Sequence, residues 1–280
     1  MNPIDLHTHT TASDGTDTPK ELIDYALKKK LSAIAITDHD TIDGLIDGLN
    51  YAADLPIKVI TGIEFSTNDP AYPFDIHILG YCFDIHNADF LKSLIDIKTS
   101  RHERNVKIIK KLNDIGFHIT MEDLRAEGDD GVITRAHIGR TLLKKGYINK
   151  EQKAYEKYIG NNCVAYVPRE RLTPAMAIDM IKSAGGIAVL AHPTLYGLNQ
   201  RSIEQLLERL IGSGLDGVET IYSLHDVNQE KHISDMAKKY NLIMTGGSDY
   251  HGRNKKNIDL GVGKGKLFVP ETLLEHICPD

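Results

Sequence analysis

Two histidines stand two residues apart near the start of the chain, His7 and His9 in D-L-H-T-H-T, and Asp14 follows in an S-D-G turn. Alternate residues of an extended strand share a face, so the two imidazoles stand side by side. The turn lets the carboxylate swing back towards them. Neutral imidazoles with a carboxylate suit a first-row metal ion. A single such pair is also an ordinary surface feature, but here the pattern recurs. His39 lies in T-D-H-D, Glu64 in G-I-E-F-S, His77 in D-I-H-I-L-G-Y, His192 in A-H-P, and Asp249 and His251 in S-D-Y-H. Most of these close or interrupt an apolar run, and functional groups of parallel α/β folds collect at the carboxyl ends of strands.

His7, His9, His39, His77, His192 and His251 with Asp14, Glu64 and Asp249 exceed the shell of one ion and imply two or three. No cysteine belongs to the set, so it is not a structural zinc site, and mixed imidazole and oxygen donors suit Mn²⁺, Fe²⁺ or Zn²⁺. Ions held in this way lower the pKa of bound water and neutralise charge on phosphoryl oxygens. The chain has no phosphate-binding G-x-x-x-x-G-K-[ST] loop, no G-x-G-x-x-G and no G-x-S-x-G, so nucleoside triphosphate, dinucleotide and serine-hydrolase chemistry are not indicated.

The elements that must position these residues alternate. Strands are expected at 4–7, 33–37, 58–66, 75–83, 186–191, 217–222 and 242–246, with helices between them. Thr18-Pro19-Lys20-Glu21 is a capping box with proline at the first helical position, Thr173-Pro174 opens another helix, and Ser202 to Gln205 marks a third start. This order implies a parallel sheet, open or closed into a barrel. It breaks between residues 83 and 168. A long helix is expected at 89–116, ended by Gly116, with shorter ones at 135–145 and 150–159. The expected organisation is an α/β barrel of residues 1–85 and 169–280 with a helical insertion at 86–168.

The 280 residues are 41% apolar and 26% charged, ordinary for a soluble protein, with no apolar run long enough for a membrane span. The N-terminus lacks the basic and apolar segments of a signal peptide, and Cys82, Cys163 and Cys278 are few and scattered. A cytoplasmic location without disulfides is the expectation. Cys82 and Cys163 are expected as small buried residues, and Cys278 at a frayed end. Net charge is −6, which argues against a stable nucleic-acid partner. Residues 90–169 nevertheless hold 16 Lys and Arg against 10 Asp and Glu, a net +6 that leaves −12 for the rest, so the insertion could face an anion.

In order, D-L-H-T-H-T…S-D-G, T-D-H-D, G-I-E-F-S, H-I-L-G-Y, A-H-P and S-D-Y-H resemble the PHP (polymerase and histidinol phosphatase) superfamily along almost the whole chain. The resemblance implies a distorted (βα)7 barrel and three metal positions. His7, His9, Glu64 and Asp249 would hold the first ion, Glu64, His77 and His192 the second, and Asp14, His39 and His251 the third. Some relatives carry histidine where this chain has Asp14, which leaves room for Mn²⁺ beside Zn²⁺ or Fe²⁺. The insertion looks like that of the branch acting on nucleoside 3′,5′-bisphosphates, some members of which are 5′→3′ exoribonucleases. The branch's phosphate-holding motifs match Arg101 and Arg104 in R-H-E-R, and Arg135 and His137 in R-A-H. His225 matches a residue near the substrate, where it would contact phosphate or donate a proton; the alternative is a packed loop histidine.

The resulting expectation is a metal-dependent phosphoesterase. Glu64 and Asp249 would hold the hydroxide that attacks phosphorus in line, and Arg104 or Arg135 would stabilise the phosphoryl oxygens. The substrate would be a bisphosphate nucleotide or a short oligoribonucleotide, with the insertion as a lid. Rival readings are a broader or histidinol-type phosphatase, a non-catalytic metal-binding module and a metal-dependent amidohydrolase. The sequence leaves oligomeric state open.

Overall fold

The computed structural model describes residues 2–127, 131–168 and 172–278. The residues at the expected 168/169 boundary therefore fall partly outside the described residues. One eight-stranded sheet runs in the order β7-β6-β5-β4-β3-β2-β1-β8. Its strands are β1 (Pro3–Asp5), β2 (Ala33–Ile36), β3 (Lys58–Asn68), β4 (Asp75–Tyr81), β5 (Ile187–Leu190), β6 (Gly217–Tyr222), β7 (Ile243–Gly247) and β8 (Val269–Pro270). The sheet curls until β7 meets the residues after β1: the Leu6 amide donates to Gly246 O, Thr8 bridges Tyr250, and the Asp249 amide donates to His7 O at 2.8 Å. Gly247 is required here, because a Cβ would lie 2.4 Å from that of His7.

The barrel is distorted in two ways that periodicity does not show. β4 runs antiparallel to both β3 and β5, and β8 adds an antiparallel edge beside β1. Residues 69–74 join β3 to β4, too short a link for the crossover that parallel strands need.

Helices α1 (Pro19–Lys28) and α2 (Asp43–Ala52) cover one side of the sheet. The Thr18–Glu21 capping box forms as its spacing predicts. Next come α3 (Ala88–Asp114), α4 (Met121–Arg125), α5 (Arg135–Lys144) and α6 (Gln152–Ala154), which continues as a π-helical turn, Tyr155–Ile159. The chain returns to the barrel through α7 (Pro174–Ser183), α8 (Gln200–Ile211), α9 (Val227–Lys239) and α10 (Leu274–Ile277). Gly116, at φ +93°, follows α3 as expected. α8 starts ahead of the expected Ser202, because the Asn199 side chain accepts the Ser202 amide and so becomes the cap.

Strand alternation divides the core. Ala33, Ala35, Leu79, Tyr81, Val189 and Ala191 fill the inner face with Ile277 of α10. Ile34, Ile36, Ile78 and Leu190 pack outward against α1, α7 and α8. Helices α3 to α6 build a separate cluster on Ile108, Leu112, Leu124, Ile138 and Leu142, while Phe90 and Leu94 fix the start of α3 to the barrel. No helix among the described residues is long and apolar enough to cross a membrane.

The cysteine expectation fails. Cys82 and Cys278 are paired as a disulfide, their Cα atoms 6.0 Å apart, and both pack against the inner core. Their separation of 196 residues conceals a contact that exists only once α10 closes the barrel. Cys278 is thus held rather than frayed, and Cys82 and Cys163 are partly exposed rather than buried.

Candidate metal centre

All nine residues singled out as ligands converge at one end of the barrel, and all but the part-exposed His77 are buried. Glu64, within β3, is central. Its Oε1 lies 2.9 Å from His77 Nδ1 and 3.0 Å from His192 Nε2. Its Oε2 lies 3.1 Å from His39 Nδ1, 3.3 Å from His9 Nε2 and 3.4 Å from His7 Nε2. Asp249 Oδ1 approaches His7, His9 and His251 at 3.4 to 3.6 Å. Asp14 faces His251 at 3.2 Å and reaches His9 and His39 at about the limit of an ion pair. The donor atoms fall into four overlapping groups: His9, Asp14, His39 and His251; His7, His9 and Asp249; His7, Glu64 and His192; and His39, Glu64 and His77.

The backbone is strained where it delivers these groups. His192 has φ +28° and Asp249 φ +58°, and Asp40, beside His39, has φ +55°. Non-glycine residues persist in this region only where their surroundings hold them.

Burial and neighbouring charges compete at each of these groups. Burial raises the cost of ionising Glu64, but His39, His77 and His7 outweigh it and hold its pKa well below the usual carboxylate range. Burial opposes Asp14 and Asp249 likewise. His251 and His39 overcome it for Asp14, and Lys255 and His7 for Asp249. Burial also opposes charge on His7, yet Glu219, Glu64 and Asp249 lift its pKa well above 6.5. His9 is raised to about 9 against burial by Asp249 and Glu64. Burial dominates at His39, lowered to about 3, and at His251, lowered to about 4. Among the described residues, buried His7 Nε2, both nitrogens of His9, Asp14 Oδ1 and His192 Nδ1 have no hydrogen-bond partner. Buried polar atoms are rarely orphaned, so these residues fit a set of divalent ions.

Outer residues orient this set. Glu219 Oε1 sits 2.9 Å from His7 Nδ1. Asp249 Oδ2 accepts from Tyr222 Oη at 2.8 Å and from Lys255 Nζ at 2.5 Å. Asp38 accepts from the Thr10 amide and from the Thr10 and Ser13 hydroxyls, and Asp5 accepts from the amides of His7, Ser248 and Gly261. Sequence reasoning gave none of these a role. Glu219 carried the same signal as Glu64, a carboxylate inside an otherwise β-forming run, G-V-E-T-I-Y.

Of the residues expected to meet substrate, Arg101, Arg104 and Arg135 line a cavity of about 150 Å³ with Asp14, His39 and His77. Each arginine is engaged. Arg101 pairs with Asp40 and donates to Ser66 Oγ, Arg104 Nε donates to Val167 O, and Arg135 pairs with Asp75 at 2.5 Å. His137 and His225 are outside that lining. His137 Nδ1 accepts the Thr134 amide and so caps α5. His225 Nδ1 is 2.8 Å from Thr220 O, and its ring meets the Tyr222 ring edge-on. The helical segment reaches the cluster directly, with Thr134 Oγ1 donating to Asp14 and the Val132 amide to Ala12 O.

Known proteins are similar to this chain. A 5′-3′ exoribonuclease of Haemophilus influenzae is 34% identical over 88% of this chain and 89% of its own. A 3′,5′-nucleoside bisphosphate phosphatase of Chromobacterium violaceum is 29% identical over 93% of this chain and 91% of its own. The crystal structure of a candidate metal-dependent phosphoesterase from Bifidobacterium adolescentis superposes with a TM-score of 0.85 at 27% identity, covering 99% of this chain and 95% of that one. The PHP domain model matches residues 5–211. With its ligand-type residues gathered at one barrel end and both chemistries among its relatives, this chain belongs to the PHP domain family, as a phosphoesterase.

Proposed function

We propose that the chain removes the 3′-phosphate of nucleoside 3′,5′-bisphosphates, giving the nucleoside 5′-monophosphate and phosphate. One observation carries the reading: three arginines from the helical segment line the same cavity as Asp14, His39 and His77. The ester phosphate to be cleaved would lie at the histidine–carboxylate cluster and the second phosphate at the guanidinium groups, whose forked donors suit phosphate. The segment at 86–168 would act as a lid that carries these donors.

His7, His9, Glu64 and Asp249 would hold one ion, Glu64, His77 and His192 a second, and Asp14, His39 and His251 a third. Mn²⁺ suits this donor set best, with Zn²⁺ or Fe²⁺ as alternatives. When bound, such ions lower the pKa of water and neutralise phosphoryl charge. Glu64 and Asp249, held ionised, would orient the attacking water for in-line displacement. Arg104 and Arg135 would donate to phosphoryl oxygens as charge develops. His225, facing Thr220 O and outside the cavity, serves this reading as a packed loop residue.

The test is phosphate release by protein stripped of metal and reloaded with Mn²⁺, Zn²⁺ or Mg²⁺, on adenosine 3′,5′-bisphosphate, AMP and histidinol phosphate. The expected result is a strong preference for the bisphosphate that is lost in Arg135→Ala. Equal turnover of all three removes the two-phosphate argument, and no turnover with any ion points to a non-catalytic module. A second reading, 5′→3′ cleavage of short RNA, is favoured by the 34% identical exoribonuclease. It would show as mononucleotide release from a 5′-phosphorylated oligoribonucleotide.

A further inference from the structure

A second cavity, of about 360 Å³, opens where the β3–β4 hairpin tip meets the helical segment. Tyr72 and Tyr166 give it aromatic faces, and Asn68 and Asn162 give it amides. Neither asparagine side chain makes a hydrogen bond among the described residues. Among the described residues the lining contains no lysine or arginine. The guanidinium beside it, Arg209, is committed: it lies 4.9 Å over the Tyr72 ring and pairs with Asp69 at 2.6 Å. Ring faces and open amides, with no spare cation among the described residues, do not suit a phosphate. They suit a flat, uncharged group with hydrogen-bonding edges.

Its place in the ladder gives the groove a purpose. Ser66 pairs with His77 at the metal cluster, and Asn68 pairs with Asp75 two residues further towards the groove. That step is roughly 7 Å along the strand, the scale of one ribose. Asp75 also holds Arg135, which lines the metal cavity. The pair lines the metal cavity, and its Asp75 is the ladder partner of Asn68, which lines the groove.

We propose that this groove is a nucleobase subsite, occupied by the base of a nucleotide whose phosphates lie at the metal cluster and the arginines. This rests on the phosphatase reading above and adds to it where the base is held. Tyrosine faces stack on any base, and asparagine amides match the donor and acceptor edge of adenine. Two tyrosines hold one base, not a track of several. The base could belong to a free bisphosphate or to the terminal residue of an RNA.

The experiment compares wild type with Tyr166→Ala on adenosine 3′,5′-bisphosphate and on abasic 1,2-dideoxyribose 3,5-bisphosphate. Tyr166 is suited to substitution because, among the described residues, only its backbone takes part in hydrogen bonds, the N–H to Cys163 O and the oxygen from Lys111. In wild type the base-bearing substrate should have the lower KM, and in Tyr166→Ala that advantage should shrink about tenfold, within the range of base–aromatic stacking. Tyr72→Ala should repeat the result. No advantage in wild type, or an equal rise in KM on both substrates, would overturn the proposal. A parallel pair of oligoribonucleotides, with and without the 5′-terminal base, assigns the source: an effect confined to RNA places a terminal residue there, and one confined to the bisphosphate places a free nucleotide. Calorimetric binding of AMP reads the groove independently of turnover. If wild type hydrolyses no substrate, a tenfold weaker AMP affinity in Tyr166→Ala still supports the subsite, and equal affinities sink it.

Discussion

Glu219 Oε1 lies 2.9 Å from His7 Nδ1, while Oε2 of the same carboxylate accepts the His192 amide at 2.7 Å. One acid on β6 therefore fixes the ring of one ligand-type histidine and the backbone of another. With Nδ1 turned to Glu219, His7 presents Nε2 to Glu64 and Asp249. Carboxylates placed behind ligating imidazoles typically govern metal affinity by 10- to 100-fold. Glu219→Gln should weaken Mn²⁺ binding by about that factor, measured by calorimetry on the metal-stripped protein, and activity should recover as Mn²⁺ is raised. Unchanged affinity would mean that Glu219 only packs the strand.

The arginines should separate into two kinds. Arg101 and Asp40 have side chains 7% and 0% exposed, whereas Arg135 and Asp75 are 17% and 15% exposed. Removing one partner of a fully buried pair costs about 3–5 kcal/mol, because the other charge is left uncompensated. Arg101→Met should therefore lower Tm sharply. Arg135→Ala should cost less stability and instead raise KM for the bisphosphate. Equal Tm shifts with no change in KM would show that both arginines are structural.

The cluster was legible in the sequence because most ligand-type residues sit at a strand end or turn, and Glu64 and His77 interrupt the apolar runs of β3 and β4, so a short motif records each. T-D-H-D and S-D-Y-H each encode a residue and the turn that aims it. The partners of the arginines were not legible. Asp40 and Asp75 lie 61 and 60 residues from the arginines they hold, and no periodicity reports such a contact. The direction of β4 was hidden for a related reason: alternation gives a strand's faces but not its polarity. His137 shows a further limit. R-A-H reads as a phosphate motif, yet the histidine occupies the third position of α5 and closes a capping box with Thr134. The same residue type serves a cap as well as a ligand, and the motif does not report the cap.

Metal should stabilise as well as activate. The orphaned nitrogens of His7, His9 and His192 and the orphaned Asp14 oxygen are buried polar atoms that ions would satisfy. Ligands that bind only the folded state add about 2.7 kcal/mol at 100 times Kd. After dialysis against EDTA, Mn²⁺ should raise Tm in a concentration-dependent way, followed by circular dichroism. His9→Ala and Asp14→Ala should each reduce the rise. A Tm insensitive to Mn²⁺, Zn²⁺ and Fe²⁺ alike would contradict the assigned ligand set.

The His137 cap sets a pH dependence of its own. The side chain is buried, and burial, reinforced by Arg140, lowers its pKa from 6.5 to about 4. Its Nδ1 can accept the Thr134 amide, at 3.0 Å, only while unprotonated. Between pH 6.5 and about 4 the unfolded chain binds a proton at this position that the folded chain refuses. Stability then rises with pH across that window. The contribution is fully present above pH 6.5 and is lost as pH falls towards 4. A shift of this size corresponds to about 3 kcal/mol at one buried group. His137→Gln keeps an acceptor at the third helical position, which a capping box can use, and removes the titration. Urea unfolding of EDTA-treated protein at pH 7, 6 and 5 should give a clearly flatter dependence for the variant than for wild type. Parallel slopes would show that His137 does not titrate in this window.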